Sequence, residues 1–120
     1  MKQISIVINE SPMPQNHVYR RRAGGGMYLT KEAQNYKGFI GRHAAIAMQM
    51  ENLTYFLHPK VTLQLYFKNA RADIDGPIKL ILDSLNEIAW VDDVMIEELH
   101  VYKTFDPKNP RIEITITETS

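Results

Sequence analysis

The sequence predicts one α+β (or α/β) domain, with two main helices laid on a mixed sheet in the order βαβαββ. Two kinds of periodicity carry that reading. Apolar residues recur at every second position in residues 3–9, 60–68 and 111–117, as in strands with one buried face. Between them, apolar residues return every three or four positions over 30–51 and again after Pro77, as in helices that cover a sheet. At 120 residues the chain suits a single domain, and no repeat or linker divides it.

Residues 3–9 put Ile4, Ile6 and Ile8 on one face of a first strand. Residues 10–28 hold Pro12, Pro14, three arginines and Gly24-Gly25-Gly26, and read as a flexible basic loop. Thr30 is placed to cap a helix, with Glu32 in its first turn. Its apolar stripe is Ala33, Tyr36, Ile40, Ala44, Ala47 and Met48, with Gly38 and Gly41 marking close packing. Residues 60–68 alternate between Val61, Leu63, Leu65, Phe67 and a polar face. Pro77 then opens a second helix over 77–88, with Ile78, Ile81, Leu82, Leu85 and Ile88 toward the core. Residues 94–103 read as a strand whose phase slips near Glu97-Glu98, as a bulge would cause. Residues 106–110 are a turn, and a last strand brings Ile112, Ile114 and Ile116 inward.

Formal net charge is zero, which is unusual for a nucleic-acid binder unless the bases cluster. There are no cysteines, so disulfides and cysteine zinc sites are excluded, and a reducing cytoplasm is the expected setting. Lys79, Asp83, Asn86 and Glu87 interrupt the most apolar region, so no membrane span is expected, and residues 1–4 do not begin a signal peptide.

Chemistry concentrates in Asp73-Ile74-Asp75-Gly76-Pro77-Ile78-Lys79, followed by Asp92 and Asp93. Two acids at i and i+2 of an extended segment share a side, roughly 7 Å apart. Like charges that close resist joint ionisation unless a cation lies between them. A third acid from Asp92 or Asp93, with a lysine alongside, completes the parts of a divalent-metal phosphoryl-transfer site. Lys79 lies near a helix start, where the macrodipole disfavours a cation. The structural alternative is that Asp75 caps the helix, Lys79 pairs with Asp75 or Asp83, and Asp92-Asp93 is a solvated turn. Geometry limits the functional reading. A helix over 77–88 is roughly 18 Å long, and residues 89–93 reach back at most about 17 Å. Asp93 therefore nears Asp73 and Asp75 only by a nearly straight return, an early helix end, or a second subunit; the first two are the expectation.

His17, His43, His58 and His100 are too scattered for a zinc motif, and Trp90 suits a core or interface anchor. Tyr19-Arg20-Arg21-Arg22 can serve as an arm on phosphates, or as a solvated loop. Lys60, Lys68, Arg71 and Lys103 flank the acids, as suits a nucleic-acid backbone.

With these residues in place, the chain resembles the RusA family of Holliday junction resolvases, small endodeoxyribonucleases often found in prophages. Asn16, Tyr19 and Arg20 match its early Asn-x-x-Tyr-Arg, and Tyr28 and Thr30 match a segment opening a helix. Asp73, Asp75, Lys79, Asp83, Trp90, Asp92 and Asp93 match its central signature in order and spacing. The resemblance implies a RusA-like fold and a homodimer, bacterial or phage-encoded, that cuts four-way DNA junctions with magnesium, or manganese in its stead. It implies metal ligation by Asp73, Asp75 and Asp93 and an essential Lys79; with the basic groups read above, the expected DNA contacts are Asn16, Tyr19, Arg20, Arg21, Arg22, Lys68 and Arg71. Gly76 stands where the family usually carries Asn, and the arginine run before the motif is thinned to Lys68 and Arg71. A non-catalytic DNA- or junction-binding module is the alternative.

Overall fold

The computed structural model describes residues 2–14 and 17–119. Its main sheet has four strands in the order β1-β6-β4-β5: β1 (Gln3–Ile8), β4 (Pro59–Phe67), β5 (Glu98–Phe105) and β6 (Arg111–Glu118). β6 runs antiparallel to both β1 and β4, while β4 and β5 are parallel, so the sheet is mixed as expected. Two helices, α1 (Lys31–Met50) and α2 (Ile78–Ser84), connect the strands.

Alternation explains why the sheet has one covered face. Ile4, Ile6, Ile8, Val61, Leu63, Leu65, Ile112, Ile114 and Ile116 are all buried. They form one core with Ile40, Ala44 and Met48 of α1 and Ile81 and Leu82 of α2. The other face carries Thr62, Gln64, Thr115 and Thr117, half-buried and polar, as a sheet packed on one side requires. Thr30 caps α1 as expected, its Oγ1 accepting from the Ala33 N–H at 3.0 Å. Gly41 allows α1 and α2 to close up, since a Cβ there would stand 3.1 Å from Ile88 Cδ1 and 3.3 Å from the Ser84 carbonyl. Trp90 is a core anchor, fully buried, with its Nε1 donating to Asn86 Oδ1 at 2.8 Å.

Four expectations are corrected. Residues 10–28 contain a hairpin, β2 (Tyr19–Arg21) against β3 (Met27–Leu29), not a featureless loop. Its turn needs the left-handed backbone of Gly25 and Gly26 (φ 104° and 78°), which glycine adopts without a Cβ penalty. Val18 and Leu29 seat it beside Met13, Ala33 and Leu80. The second helix ends at Ser84 rather than 88, because Glu87 turns left-handed (φ 64°) and its N–H donates to the Trp90 carbonyl at 2.6 Å. No bulge explains the phase slip: Asp93–Met95 is a 3₁₀ turn capped by the Asp92 carboxylate, and β5 begins only at Glu98. Finally, Ile74–Pro77 is turn rather than extended chain, so the i, i+2 premise for Asp73 and Asp75 does not hold.

Candidate active site

β4 and β5 are the parallel pair, and the acidic motif leaves the carboxyl end of β4 on its way into α2. Ligands of α/β units commonly bind beyond that end of parallel strands. A turn closes there, with the Asn69 side chain accepting from the Arg71 N–H at 3.0 Å and the Asn69 carbonyl accepting from the Ala72 N–H at 3.1 Å. Asp73 and Asp75 follow, both exposed. Asp75 is not a helix cap: α2 starts at Pro77 without a side-chain cap, and Asp75 contributes only its carbonyl, to the Ile78 N–H at 3.3 Å. Neither carboxylate has an ion pair or hydrogen bond among the described residues.

Both acids line a cavity of about 1300 Å³ between α1, residues 10–14 and the turn after β4. Lys68 and Arg71 line it too, so the two bases nearest the motif in sequence share its wall. Sequence reasoning missed the opposite wall, where α1 contributes Glu32, Asn35, Tyr36, Phe39 and Arg42. Their spacing of one to three residues keeps them on one helical face, and that second stripe beside the apolar one was the available signal. The Tyr36 hydroxyl donates to the Ser11 carbonyl at 2.5 Å and holds residues 10–13 over α1. Burial pushes the Tyr36 pKa up, and Glu10 adds to it, so the hydroxyl stays a donor.

Lys79 is placed differently. Its Nζ donates to Asp83 Oδ1 at 2.8 Å and Asp93 Oδ2 at 3.0 Å. The early end of α2 is what brings Asp93 within that reach. Hydrogen bonds to Asp83 and then Asp93 hold the ammonium pKa well above the ordinary lysine range. The Lys79 hydrogen bond, against some burial, holds the Asp93 carboxyl below the usual carboxylate range. These two partners explain a lysine in the first turn of a seven-residue helix without any ligand, and the macrodipole argument adds little. Asp92 is occupied otherwise, its Oδ1 accepting from the Val94 N–H at 3.3 Å. Asp93 is not among the residues lining the large cavity, and Asp83 lines a separate depression of about 680 Å³ between α1 and α2.

The candidate residues thus form two groups. Asp73 and Asp75 face the cavity with Lys68 and Arg71, while Lys79 joins Asp83 to Asp93. Among the described residues, no three His, Cys, Asp or Glu side chains are grouped so as to hold a metal ion. Magnesium often takes only one or two carboxylates, with waters and substrate phosphate supplying the rest. Two unpaired carboxylates lining one cavity fit that demand.

The arginine arm lies on the hairpin. Tyr19, Arg20, Arg21 and Arg22 are exposed, and the Arg22 guanidinium stands 5.7 Å from the Tyr28 ring centroid. Asn16 lies outside the described residues. Lys103 is exposed but bonded to the acid-bearing turn rather than standing as a free base: its Nζ donates to the Ala70 carbonyl at 3.0 Å and to that of Ala72.

Residues 10–117, which include both side-chain groups, match the family model described as Endodeoxyribonuclease RusA. The chain belongs to the RusA family. Similar proteins named crossover junction endodeoxyribonuclease RusA occur in Escherichia coli K12 and in Enterobacteria phage 82. Each is 28% identical over 107 residues, covering 88% of either chain. The relative of that name in Shigella sonnei has the same identity and coverage. The RusA match agrees with the observed two helices and mixed sheet, and no helix among the described residues is long and apolar enough to cross a membrane.

Proposed function

We propose that this protein is a magnesium-dependent endodeoxyribonuclease that resolves four-way DNA junctions, acting as a homodimer in recombination and repair. The observation that carries the proposal is the unpaired Asp73 and Asp75 on one cavity wall with the phosphate-binding types Lys68 and Arg71. Carboxylates left without partners suit a divalent cation, and flanking bases suit a nucleic-acid backbone. RusA relatives named for crossover junctions supply the substrate class.

Asp73 and Asp75 would hold the ion, with Asp93 as the further ligand. Magnesium bound there supplies a water nucleophile and neutralises charge on the phosphoryl group. Lys68 and Arg71 orient the backbone by its phosphates. Lys79, exposed and firmly charged, keeps one of its three ammonium donors for a scissile phosphate while it holds both acids.

Pairing of two chains is supported by β5. Among the described residues it is an edge strand with β4 as its one strand neighbour, and it exposes Leu99, Tyr102 and Phe105, with Val94 82% exposed nearby. An open edge with apolar side chains is a common site of chain–chain contact. A two-fold dimer presents two active sites to a two-fold junction, so that symmetric strands are both cut.

The test is cleavage of a synthetic four-way junction against linear duplex, with and without magnesium, for the wild type and Asp75→Asn. The proposal expects junction-selective, magnesium-dependent cutting that Asp75→Asn abolishes while folding and junction binding persist. Equal rates from the variant would end it. Junction binding without cutting at any metal concentration would establish the non-catalytic module instead.

A further inference from the structure

β5 is an edge strand, and on the face it shares with the buried row of β4, Leu99, Lys103 and Phe105 are exposed and Val101 is half-buried. Its register sets Leu99 beside Val61, Val101 beside Leu63, Lys103 beside Leu65 and Phe105 beside Phe67, and all four β4 partners are buried. Lys103 therefore continues that row as an exposed lysine at the rim of the core. The Lys103 Nζ donates to the carbonyls of Ala70, at 3.0 Å, and Ala72, and stands 5.6 Å from the Phe67 ring centroid. Both carbonyls belong to the turn after β4, and Ala72 immediately precedes Asp73.

We propose that Lys103 is a positioning residue for the Asp73–Asp75 pair: its ammonium fastens the acid-bearing turn to the neighbouring strand β5. The proposal rests on the nuclease reading for its catalytic consequence, but the tie itself does not. Two carbonyls accept from one ammonium, which leaves one Lys103 donor for solvent. The turn is also held by local bonds from Asn69 and by Ala72 packing against the core. Lys103 adds hydrogen bonds that tie the turn to a residue over thirty positions away. Cutting that contact frees Asp73 and Asp75 to move without removing either carboxylate.

The experiment compares wild type, Lys103→Met, which keeps the aliphatic stem without donors, and Lys103→Arg, which restores them. Hydrogen–deuterium exchange of residues 69–76 is measured on DNA-free protein, with α1 amides as internal reference. The expected result is exchange at 69–76 faster by about tenfold or more in Lys103→Met, α1 unchanged, and partial recovery in Lys103→Arg. On junction substrate, kcat of Lys103→Met should fall by roughly tenfold to a hundredfold, the usual penalty of a misplaced group. Its magnesium midpoint should rise, and junction Kd without metal should stay near wild type.

Unaltered exchange at 69–76 overturns the proposal, and so does exchange raised equally in α1, which marks general destabilisation. Weakened junction Kd with kcat preserved overturns it too, by placing the ammonium on a DNA phosphate. A wild type that cuts no junction defeats the nuclease reading, while the exchange result still judges the tie.

Discussion

Replacing Lys79 with methionine separates what this residue does for folding from what it does for cleavage. The side chain is 69% exposed and holds two carboxylate oxygens, each about 3 Å from the same nitrogen. Exposed ion pairs contribute about 0.2–1 kcal/mol each. Without the ammonium, the Asp83 and Asp93 oxygens face each other across no more than about 6 Å. In water-like screening, that repulsion is about 0.7 kcal/mol. Lys79→Met should therefore cost about 1–2 kcal/mol, lowering Tm by roughly 3–6 °C per kcal/mol for a chain of this size. Urea unfolding of Lys79→Met, Asp93→Asn and the double variant should give a coupling of about 0.5–1 kcal/mol at low salt, and less in 1 M salt. Junction cleavage by Lys79→Met should fall by about a hundredfold or more, as when one charge-stabilising donor is lost. A coupling of zero at low salt would refute the tie between Lys79 and Asp93. Wild-type cleavage rates in Lys79→Met would leave the lysine a surface ion pair and nothing more.

Other outcomes follow from the packing and the charges. Leu65→Ala removes a fully buried side chain from the middle of β4 and should cost about 2–5 kcal/mol by chemical denaturation. Gly25→Ala puts a Cβ on a backbone with φ 104°, so the β2–β3 hairpin should loosen, seen as faster amide exchange at Arg21 and Met27, while the sheet is unaffected. Burial pushes the Glu118 carboxyl pKa up, but hydrogen bonds from the Leu57 and His58 N–H groups outweigh it, and the net value lies below its ordinary 4.5. Its stabilising effect is complete above that ordinary value and lost as pH falls through the lowered one. Wild-type Tm should therefore drop more steeply in acid than that of Glu118→Gln, and parallel curves would exclude the effect.

The sheet was legible because buried apolar positions in β1, β4 and β6 alternate with exposed or half-buried ones, nearly all polar, and that pattern admits one register toward the core. The Thr30 cap and the Gly41 approach were legible for local reasons, a hydroxyl in the right place and a missing side chain. The β2–β3 hairpin was not. Its residues are almost all exposed, so no alternation marks them, and the glycines read equally as loop. The early end of α2 was hidden because Leu85 and Ile88 continue the apolar stripe although the chain has left the helix; only the Glu87–Trp90 contact reveals the break. Of the site, the residue types and order were legible. The division into a cavity pair and a lysine-centred trio was not, since it depends on how the chain from α2 returns to β5. The second wall, from Glu32 to Arg42, lay in plain helical spacing beside a stronger apolar signal.

One consequence of the strand order concerns synthesis. β6 lies between β1 and β4, so the first strand made has no neighbour in the sheet until the last one arrives. During translation, the backbone of residues 3–8 must wait for its sheet partner until β6 has cleared the ribosome, while α1 is on hand to cover Ile4, Ile6 and Ile8 in part. A nascent chain stalled before β6, or a product truncated there, would keep α1 and the parallel β4–β5 pair but leave an adhesive apolar ribbon at its start. Such fragments should be prone to chaperone capture and aggregation.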